Sequence, residues 1–295
     1  MYLQRINAVI NHVHENLHAG LSVEELAQIA GFSPFHFHRI FRAITGETLL
    51  GMVTRIRLGR AVVLLRSKPE ISISEAAFAS GFSSLSVFSR NFKKQFAINA
   101  SSWDRQSPLK DSKNRQFPEN IPRYTVEKLM DFEKENDFEV NLGTLPRQSL
   151  AYIRVHDSYS DFSRIKEAYY RLVAWFQARG GDLSETTLYG MTQDDPDVTP
   201  QKLCRFDWCL AIPENWRAEG EVGIREFSEQ RIASIRCVGD ASLETKIIQY
   251  LFLYWLPRSR FQPANLPGME IYKRQPDEMG WETYDLDCAI PIVPL

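Results

Sequence analysis

Cysteine is scarce in this 295-residue chain, and the four present, Cys204, Cys209, Cys237 and Cys288, stand apart inside apolar, strand-like runs. They have neither the close pairing of a zinc site nor the density of a disulfide scaffold, which leaves buried reduced thiols as the ordinary reading. Long hydrophobic runs are missing too, since none approaches the ~20 residues of a membrane span. Met1 to Leu17 interrupts its apolar positions with Gln4, Arg5, Asn7, Asn11 and His12, so no secretory leader is legible there. These absences lead to the expectation of a cytoplasmic protein without a membrane partner. A strong net charge is also absent, at −2, and 44% apolar with 24% charged residues is ordinary globular composition. That excludes a fibre or a disordered chain, and the length allows two or three domains.

The small total charge hides an asymmetry. Residues 1–115 hold 15 Lys and Arg against 8 Asp and Glu, whereas residues 116–295 hold 20 against 29. The first part suits a polyanion and the second would repel one.

Leu3, Ile6, Ile10, Val13 and Leu17 recur at three- and four-residue steps, predicting an opening amphipathic helix that ends near Gly20. His14 and His18 lie four apart on it, a spacing able to grip a metal from one face. No third ligand accompanies them, so they read as exposed surface residues and no metal or cofactor is expected. Ser22-Val23-Glu24-Glu25 predicts a capping box and a short helix to about Ala30. Gly31 then turns the chain, Ser33 caps a second helix with Pro34 at its first position, and Thr45-Gly46 closes it. Two helices separated by a glycine turn make a helix-turn-helix. A long helix follows from Thr48 to about Ser67, ending before Pro69.

The pattern then restarts. Ser72, Glu75, Ala77, Gly81, Phe82 and Ser83 repeat Ser22, Glu25, Ala27, Gly31, Phe32 and Ser33 at an offset of 50, and beyond the turn Phe88, Arg90, Phe92 and Lys93 repeat Phe37, Arg39, Phe41 and Arg42 at 51. One unit is duplicated, with one residue gained in the second turn. In the first unit Phe37, Ile40 and Phe41 face inward, leaving Phe35, His38, Arg39 and Arg42 on one stripe; the second leaves Ser86, Ser89, Arg90 and Lys93. Arg can reach guanine edges in a major groove, His and Ser can bond bases or phosphates, and Phe35 can pack on a thymine methyl. Lys93, Lys94, Arg55, Arg57 and Arg60, late in helices or on the connector, suit phosphates instead. A solvated charged face would explain any one of these residues; two matched stripes in a basic region point to double-stranded DNA.

Residues 5 to 106 resemble the DNA-binding domain of the AraC/XylS family of transcription regulators. The resemblance rests on Ile73-Ser74-Glu75-Ala76-Ala77 through Gly81-Phe82, then Phe88-Ser89-Arg90-Asn91-Phe92-Lys93-Lys94. It implies two helix-turn-helix units joined by a long helix, with both recognition helices entering successive major-groove segments on one DNA face. The family's closing Phe-Gly step and Ser-Pro turn are replaced here by Ala97 and Asn99-Ala100, which leaves the shape of the last turn open.

Ser107-Pro108 to Ile121-Pro122 is polar and aperiodic and reads as a linker. Beyond it a second duplication begins. Ala151, Ile153 and Arg154 recur as Ala233, Ile235 and Arg236, and the run Phe206 to Pro213 recurs as Tyr284 to Pro291. Helical segments, Phe162 to about Arg179 and Ser242 to about Leu256, lie between. Each half therefore reads β-α-β-β, and the pair makes an α+β domain with pseudo-twofold symmetry. Aligning the halves sets Gly190 opposite Glu270, so the repeated scaffold does not need that carboxylate. A carboxylate among Met269, Ile271 and Tyr272 is costly unless it faces a partner or, alternatively, solvent at a sheet edge. Trp208, Tyr254, Trp255 and Trp281 either wall a cleft, with cation–π capacity, or fill the core.

This half is similar to the GyrI-like small-molecule-binding domain, on pattern words such as Tyr254-Trp255-Leu256-Pro257, Met269-Glu270-Ile271-Tyr272 and Ala289-Ile290-Pro291-Ile292. The resemblance implies an aromatic cleft between the halves, in which Glu270 contacts a lipophilic, cationic effector; Tyr272, Trp255, Trp208 and Trp281 are the aromatic residues expected at that site. The expected architecture is multidomain: an all-α double helix-turn-helix domain over 1–106, a linker over 107–122 and a duplicated α+β domain over 123–295. The expected function is a DNA-binding transcription regulator controlled by a small molecule, with RNA polymerase a candidate further partner. Two alternatives stand beside it. Some GyrI-like domains hydrolyse cyclopropane-bearing compounds with a glutamate and a tyrosine, although fusion to a DNA-binding domain argues for sensing; the other is a ligand-free protein-contact module.

Overall fold

The computed structural model describes residues 2–105, 109, 124–135, 138–196 and 198–295. The linker expected over 107–122 therefore lies, apart from Leu109, outside the described residues.

The helical region starts and stops where its caps dictate. Helix α1 (Tyr2–Glu15) buries Ile6, Val9, Ile10 and Val13. Ser22 caps α2 (Val23–Ile29), accepting the Glu25 amide at 3.1 Å, but only that half of the expected capping box forms. The Glu25 carboxylate instead lies 3.6 Å from His12. Ser33 caps α3 (Pro34–Thr45), Pro34 takes its first turn, and Gly46 closes it in the left-handed region at φ +76°. After α4 (Leu49–Ser67), α5 (Ile73–Ala79) opens with the complete box, Ser72 and Glu75 bonding each other's amides at 3.1 and 2.9 Å. Helix α6 (Leu85–Phe96) is capped by Ser84, one position later than the first unit, which accounts for the residue gained in the turn. Its last turn ends on Ala97 at φ +58°, where a glycine would be unstrained. Gly81 has no such freedom to change: at φ +89°, a Cβ there would overlap the Leu17 carbonyl.

Two separate cores result. Ile6, Val9, Ile10, Phe37 and Phe41 pack with Leu49, Met52 and Val53, while Phe82, Phe88, Phe92 and Phe96 pack with Leu58, Ala61 and Leu65. The two halves of α4 thus belong to different units. The arginines expected to reach phosphates from this connector do other work. Arg57 donates to the carbonyls of Leu17 and Ala19, Arg60 to that of Ala79, and Arg55 is buried among carboxylates.

Helix α7 (Val126–Glu135), which the sequence pattern did not suggest, packs Leu129 and Phe132 into the second region's core. That region follows as β1 (Asn141–Leu145), β2 (Gln148–His156), α8 (Phe162–Gln177), β3 (Leu188–Thr192) and β4 (Arg205–Ile212). The second half is β5 (Gly223–Phe227), β6 (Gln230–Gly239), α9 (Ala241–Tyr250), β7 (Phe261–Pro263), β8 (Gly268–Tyr272) and β9 (Tyr284–Pro294). Between α9 and β7 the chain continues as a π-helical turn, Leu251–Trp255, and a 3-10 turn, Leu256–Arg258. The first half gains one strand over the expected β-α-β-β, and the second gains two, β5 and the short β7. In the order β1-β6-β9-β8-β3-β4-β2-β5, β1 crosses to pair with the second half and β5 with the first, while β7 pairs with β9 within its own half. The pseudo-twofold axis falls between β3 and β8, where Gly190 pairs directly with Glu270.

The sheet has two differently used faces. Helix α8 covers β2 and β4 and helix α9 covers β6 and β9 on one face, leaving β3 and β8 as a floor between them. The opposite face meets the helical region. Along α1, Gln4, Asn7, Asn11 and His14 form a polar stripe at helical spacing, and each reaches the sheet domain: Gln4 to the Val222 carbonyl (2.9 Å), Asn7 to His156 (3.4 Å), Asn11 to Tyr152 (3.2 Å) and Arg154 (2.9 Å), and His14 to Arg205 (3.1 Å). His14 is thus an interface residue rather than an exposed one. Asn265 donates to the His14 carbonyl at 2.9 Å, α4 packs against the 251–258 turns and β7, and the β3–β4 loop adds to the contact. Asp194 takes Arg55 Nη1 at 2.6 Å, Thr199 takes the same nitrogen at 3.1 Å, and Val198 is buried within the second helix-turn-helix core.

Candidate functional sites: recognition faces and an acidic cleft

The two recognition helices present their predicted stripes outward. On α3, Phe37 and Phe41 are buried while Phe35, His38, Arg39 and Arg42 are exposed, Phe35 at 69%. An aromatic ring held that far into water by a helix start is available for an apolar partner. On α6, Phe88 and Phe92 are buried while Ser86, Ser89, Arg90, Lys93 and Lys94 are exposed. The burial of one stripe is what aims the other, because helical residues three and four apart share a face. Tilted ring contacts of about 5.5 Å, Phe37 with Phe41 and Phe88 with Phe92, occupy the same place in each unit. The two faces differ in chemistry: an aromatic ring, an imidazole and two guanidiniums on α3, hydroxyls and cations on α6.

The second site lies over the pseudo-twofold axis, on the helix-covered face. Tyr272 donates its hydroxyl to Glu270 Oε2 at 2.6 Å. Across the strand pair, a Cβ built on Gly190 would collide with the Glu270 carboxylate and sit 2.7 Å from the Phe206 ring. Glycine at 190 is therefore what gives the carboxylate its room. Trp208 packs at 5.3 Å on Tyr272 and 5.0 Å on Phe206, and Trp281 at 6.2 Å on Trp208. Trp281, at φ +66°, also meets Phe162, Tyr169 and Tyr170, and donates its indole N–H to the Tyr170 hydroxyl at 3.2 Å. Lys166 lies 5.2 Å above its ring.

Four of the five residues expected at the effector site, Glu270, Tyr272, Trp208 and Trp281, therefore form one connected cluster. Trp208 is fully buried, so its part is to support Tyr272 and Phe206 from behind. Trp255 goes elsewhere: its ring stacks on Phe261 at 6.2 Å, toward the C-terminal end of β9. Tyr254 stacks on Tyr250 at 5.3 Å. Glu244, on α9, was not among the expected residues, yet its carboxyl and that of Glu270 act on each other. Burial raises both carboxyls above the usual range, Glu244 the more strongly, and the neighbouring Glu270 charge raises Glu244 further. Burial likewise pushes Tyr284 up to about 12, with Glu244 and Glu270 adding to it, and pushes Tyr272 well above the ordinary phenol. Such an acid among aromatic rings can hold a cation, or act as a proton donor or acceptor. Among the described residues no group of three His, Cys, Asp or Glu side chains is placed to hold a metal, and no helix is long and apolar enough to cross a membrane.

Comparison with known proteins matches residues 26–106 to the helix-turn-helix domain family and residues 138–293 to the GyrI-like small molecule binding domain. The Transposon Tn10 TetD protein of Escherichia coli is 33% identical over 100 residues, which are 34% of this chain and 72% of that protein. The probable transcription factor PqrA of Proteus vulgaris is 33% identical over 93 residues, 32% of this chain and 75% of that protein. The HTH-type transcriptional regulator GlxA of Rhizobium meliloti is 38% identical over 100 residues, 34% of this chain and 31% of that protein. The chain spans about a third of the length of GlxA, as it does of the regulator YbfP of Bacillus subtilis, at 31% and 32%.

Proposed function

The chain belongs to the GyrI-like small molecule binding domain family, preceded by an AraC-type helix-turn-helix domain, and from that premise we propose that it is a ligand-responsive transcription regulator. In this reading α3 and α6 enter successive major-groove segments of double-stranded DNA. Arg39 and Arg90 contact base edges together with Phe35, His38, Ser86 and Ser89, while Arg42, Lys93 and Lys94 contact base edges or phosphates. RNA polymerase is the further partner such a regulator would engage. The effector is a small lipophilic cation held against Glu270 by Tyr272 and the neighbouring rings. The division into 1–106, 107–122 and 123–295 goes with this assignment.

The observation that carries the reading is the β3–β4 loop. Strand β3 forms the cleft floor at Gly190, and the loop it feeds seats Asp194, Val198 and Thr199 on α4, the helix shared by both recognition units. A ligand that binds one placement of β3 better than another would bias how the two units are held, which is what coupling requires. The test is selection of bound sites from random and genomic DNA, with and without tetraphenylphosphonium. The expected result is a defined site whose occupancy changes with the cation in wild type and not in Glu270→Gln. DNA selection that recovers no common site would overturn the regulator assignment.

The Tyr272–Glu270 bond favours one second reading, a hydrolase of cyclopropane-bearing compounds, since it pairs an acid with a tyrosine as that chemistry needs. Turnover of such compounds by the full chain, abolished in Glu270→Gln, would favour it over sensing.

A further inference from the structure

We propose that the seam between the helical and sheet regions carries a second ligand site, a cavity that takes a small organic acid, one carboxylate on a short apolar body. Its walls include His156 and Arg205, which both reach α1 on the sheet face opposite the Glu270 cleft, so the site stands independently of that cleft and its ligand.

The cavity has a volume of about 270 Å³, and both regions build it. One wall is the end of α3 with the turn into α4; the other is the end of β2, the first turn of α8, a 3-10 turn (Gln201–Leu203) and the start of β4. The two walls come close at Gly46, where an added Cβ would lie 3.5 Å from the Leu203 side chain. A drug-sized ligand needs roughly 300–1,000 Å³, so this cavity suits a smaller one.

The charge that such a ligand meets is positive and lies on the sheet side. Arg205, 2% exposed, turns Nε and Nη2 to Asp194 at 2.8 Å each, and Nη2 also meets His14 at 3.1 Å. The planar fork leaves Nη1 on the other edge of the guanidinium, buried and without a hydrogen-bond partner. A buried N–H left unbonded is costly, so a carboxylate oxygen is favoured there by its charge and by the bond it accepts. Lys202 is exposed at the rim and forms no ion pair among the described residues. Arg164 sits loosely on Asp157, 4.0 Å from its carboxylate and 3.5 Å from its carbonyl.

The acids of the lining are already engaged. Glu47 gives its two oxygens to Arg55 at 2.6 and 3.3 Å, and Asp157 takes the Ser160 hydroxyl. Arg55 and Arg205 are thus balanced by Glu47 and Asp194, and Arg164 by Asp157, which leaves Lys202 as the surplus charge. His156 feels the same field. It is lowered to about 4, by burial first and then by Arg154 and Arg205, with Asp207 and Asp194 opposing less strongly.

The apolar lining sets the orientation. Ile44 and Met52 belong to the helical wall. Helix α3 ends at this wall too, and a helix C-terminus carries partial negative charge. The carboxylate therefore belongs toward Arg205 and Lys202, and the apolar body toward Ile44 and Met52. An inorganic anion would leave that apolar wall unused, and a cation would be repelled by Lys202. Because both regions line the cavity, a bound acid stabilises the docking of α3, the first recognition helix, against the sheet region.

The test titrates the full chain, carrying isotope-labelled methionine methyl groups, with cyclohexanecarboxylate and with cyclohexanecarboxamide as the neutral comparator, followed by NMR. The expected result is a saturable shift of the Met52 methyl signal with the carboxylate and not with the amide. The signal of Met279, two residues before Trp281 of the other cleft, should stay in place. Lys202→Ala, at an exposed side chain that the fold does not use, should weaken the carboxylate about tenfold, and Lys202→Arg should retain it. A Met52 shift that is equal for acid and amide, or that Lys202→Ala leaves unchanged, overturns the site. So does a carboxylate that moves Met279 alone, or one that moves neither signal at millimolar concentration. None of these outcomes bears on the response to tetraphenylphosphonium, so the two ligand sites stand or fall separately.

Discussion

Asp194 is the residue at which the contact between the helical and sheet regions can be tested. It is 6% exposed and accepts Arg55 Nη1 at 2.6 Å, Arg205 Nε and Nη2 at 2.8 Å each, and the Arg205 backbone amide at 3.1 Å. Burial alone would raise this carboxyl, but the Arg205 and Arg55 guanidiniums more than reverse that and hold it well below the usual carboxylate range. Asp194→Asn keeps the shape and removes the charge between two buried guanidiniums. Breaking a buried ion pair from one side costs about 3–5 kcal/mol. Arg55 keeps Glu47 at 2.6 Å, so most of the loss falls on Arg205 and the lower end of that range, about 3 kcal/mol, applies.

The assay is urea denaturation followed by tryptophan fluorescence, on wild type, Asp194→Asn, Arg55→Met and the double variant. At neutral pH the single Asn variant should lose about 3 kcal/mol, and the cycle should return a coupling of about 0.5–3 kcal/mol between the two positions. Acid supplies a second check. A depressed carboxyl stabilises the folded state above its unfolded pKa of about 3.9, and that stability drains away as pH falls below it. Wild type and variant should therefore converge in acid. An unchanged midpoint at neutral pH, or a gap that stays open in acid, refutes the assignment of Asp194 as the joint.

Three further outcomes are expected. His14 is held well below its usual pKa by burial first and then by Arg205, and His156 is lowered to about 4 by burial and Arg154; for a base this means stability present above an unfolded pKa of about 6.5 and lost as pH falls below it. Urea midpoints should drop between about pH 7 and pH 5, by up to about 1.4 kcal/mol per histidine per pH unit below 6.5, and His14→Gln should halve that slope. Arg39→Ala and Arg90→Ala should each cost about 1–3 kcal/mol of discrimination between the selected site and its single-base variants, whereas Lys93→Ala should weaken all sequences alike; footprints unchanged by both arginine variants would sink the recognition faces. Ala97→Gly should raise thermal stability by about 1 kcal/mol, because Ala97 sits at φ +58° where a Cβ is strained, and a lower melting temperature would contradict that.

How much of this was legible depends on whether the signal was local. The duplicated helix-turn-helix was, because caps, glycine turns and buried phenylalanines repeat within one stretch of chain. The pairing of Gly190 with Glu270 was half legible: the repeat set them opposite in alignment, and only the fold made them neighbours across an axis. The polar stripe of α1 was present in the sequence as Gln4, Asn7, Asn11 and His14, and a helical count of polar residues would have found it. Nothing in the sequence says what that stripe faces, since its partners lie more than 130 residues away. Arg55 misled for the same reason, looking like a phosphate contact until Asp194 was in place. The extra strand β1 reads Asn-Leu-Gly-Thr-Leu, mostly exposed and without alternation, and its strand character comes from its pairing with β6.

The two faces of the sheet explain why the cleft and the helical region are mechanically close. In a strand, neighbouring side chains point to opposite faces. On β4, Phe206 and Trp208 line or support the cleft, while Arg205, Asp207 and Cys209 point to the other side. Arg205 holds His14 and Asp194; Asp207 clasps Arg154 at 2.7 and 2.8 Å, and Arg154 holds Asn11. The residue that flanks the Glu270 carboxylate and the residues that grip α1 are thus consecutive in the chain. A ligand that pushes Phe206 aside must displace the backbone that carries both grips, or else be met by a rotation of the Phe206 ring alone. The interface side favours displacement over absorption, because Arg154 and Asp207 are fully buried and bidentate, and a close-packed polar contact has few intermediate arrangements.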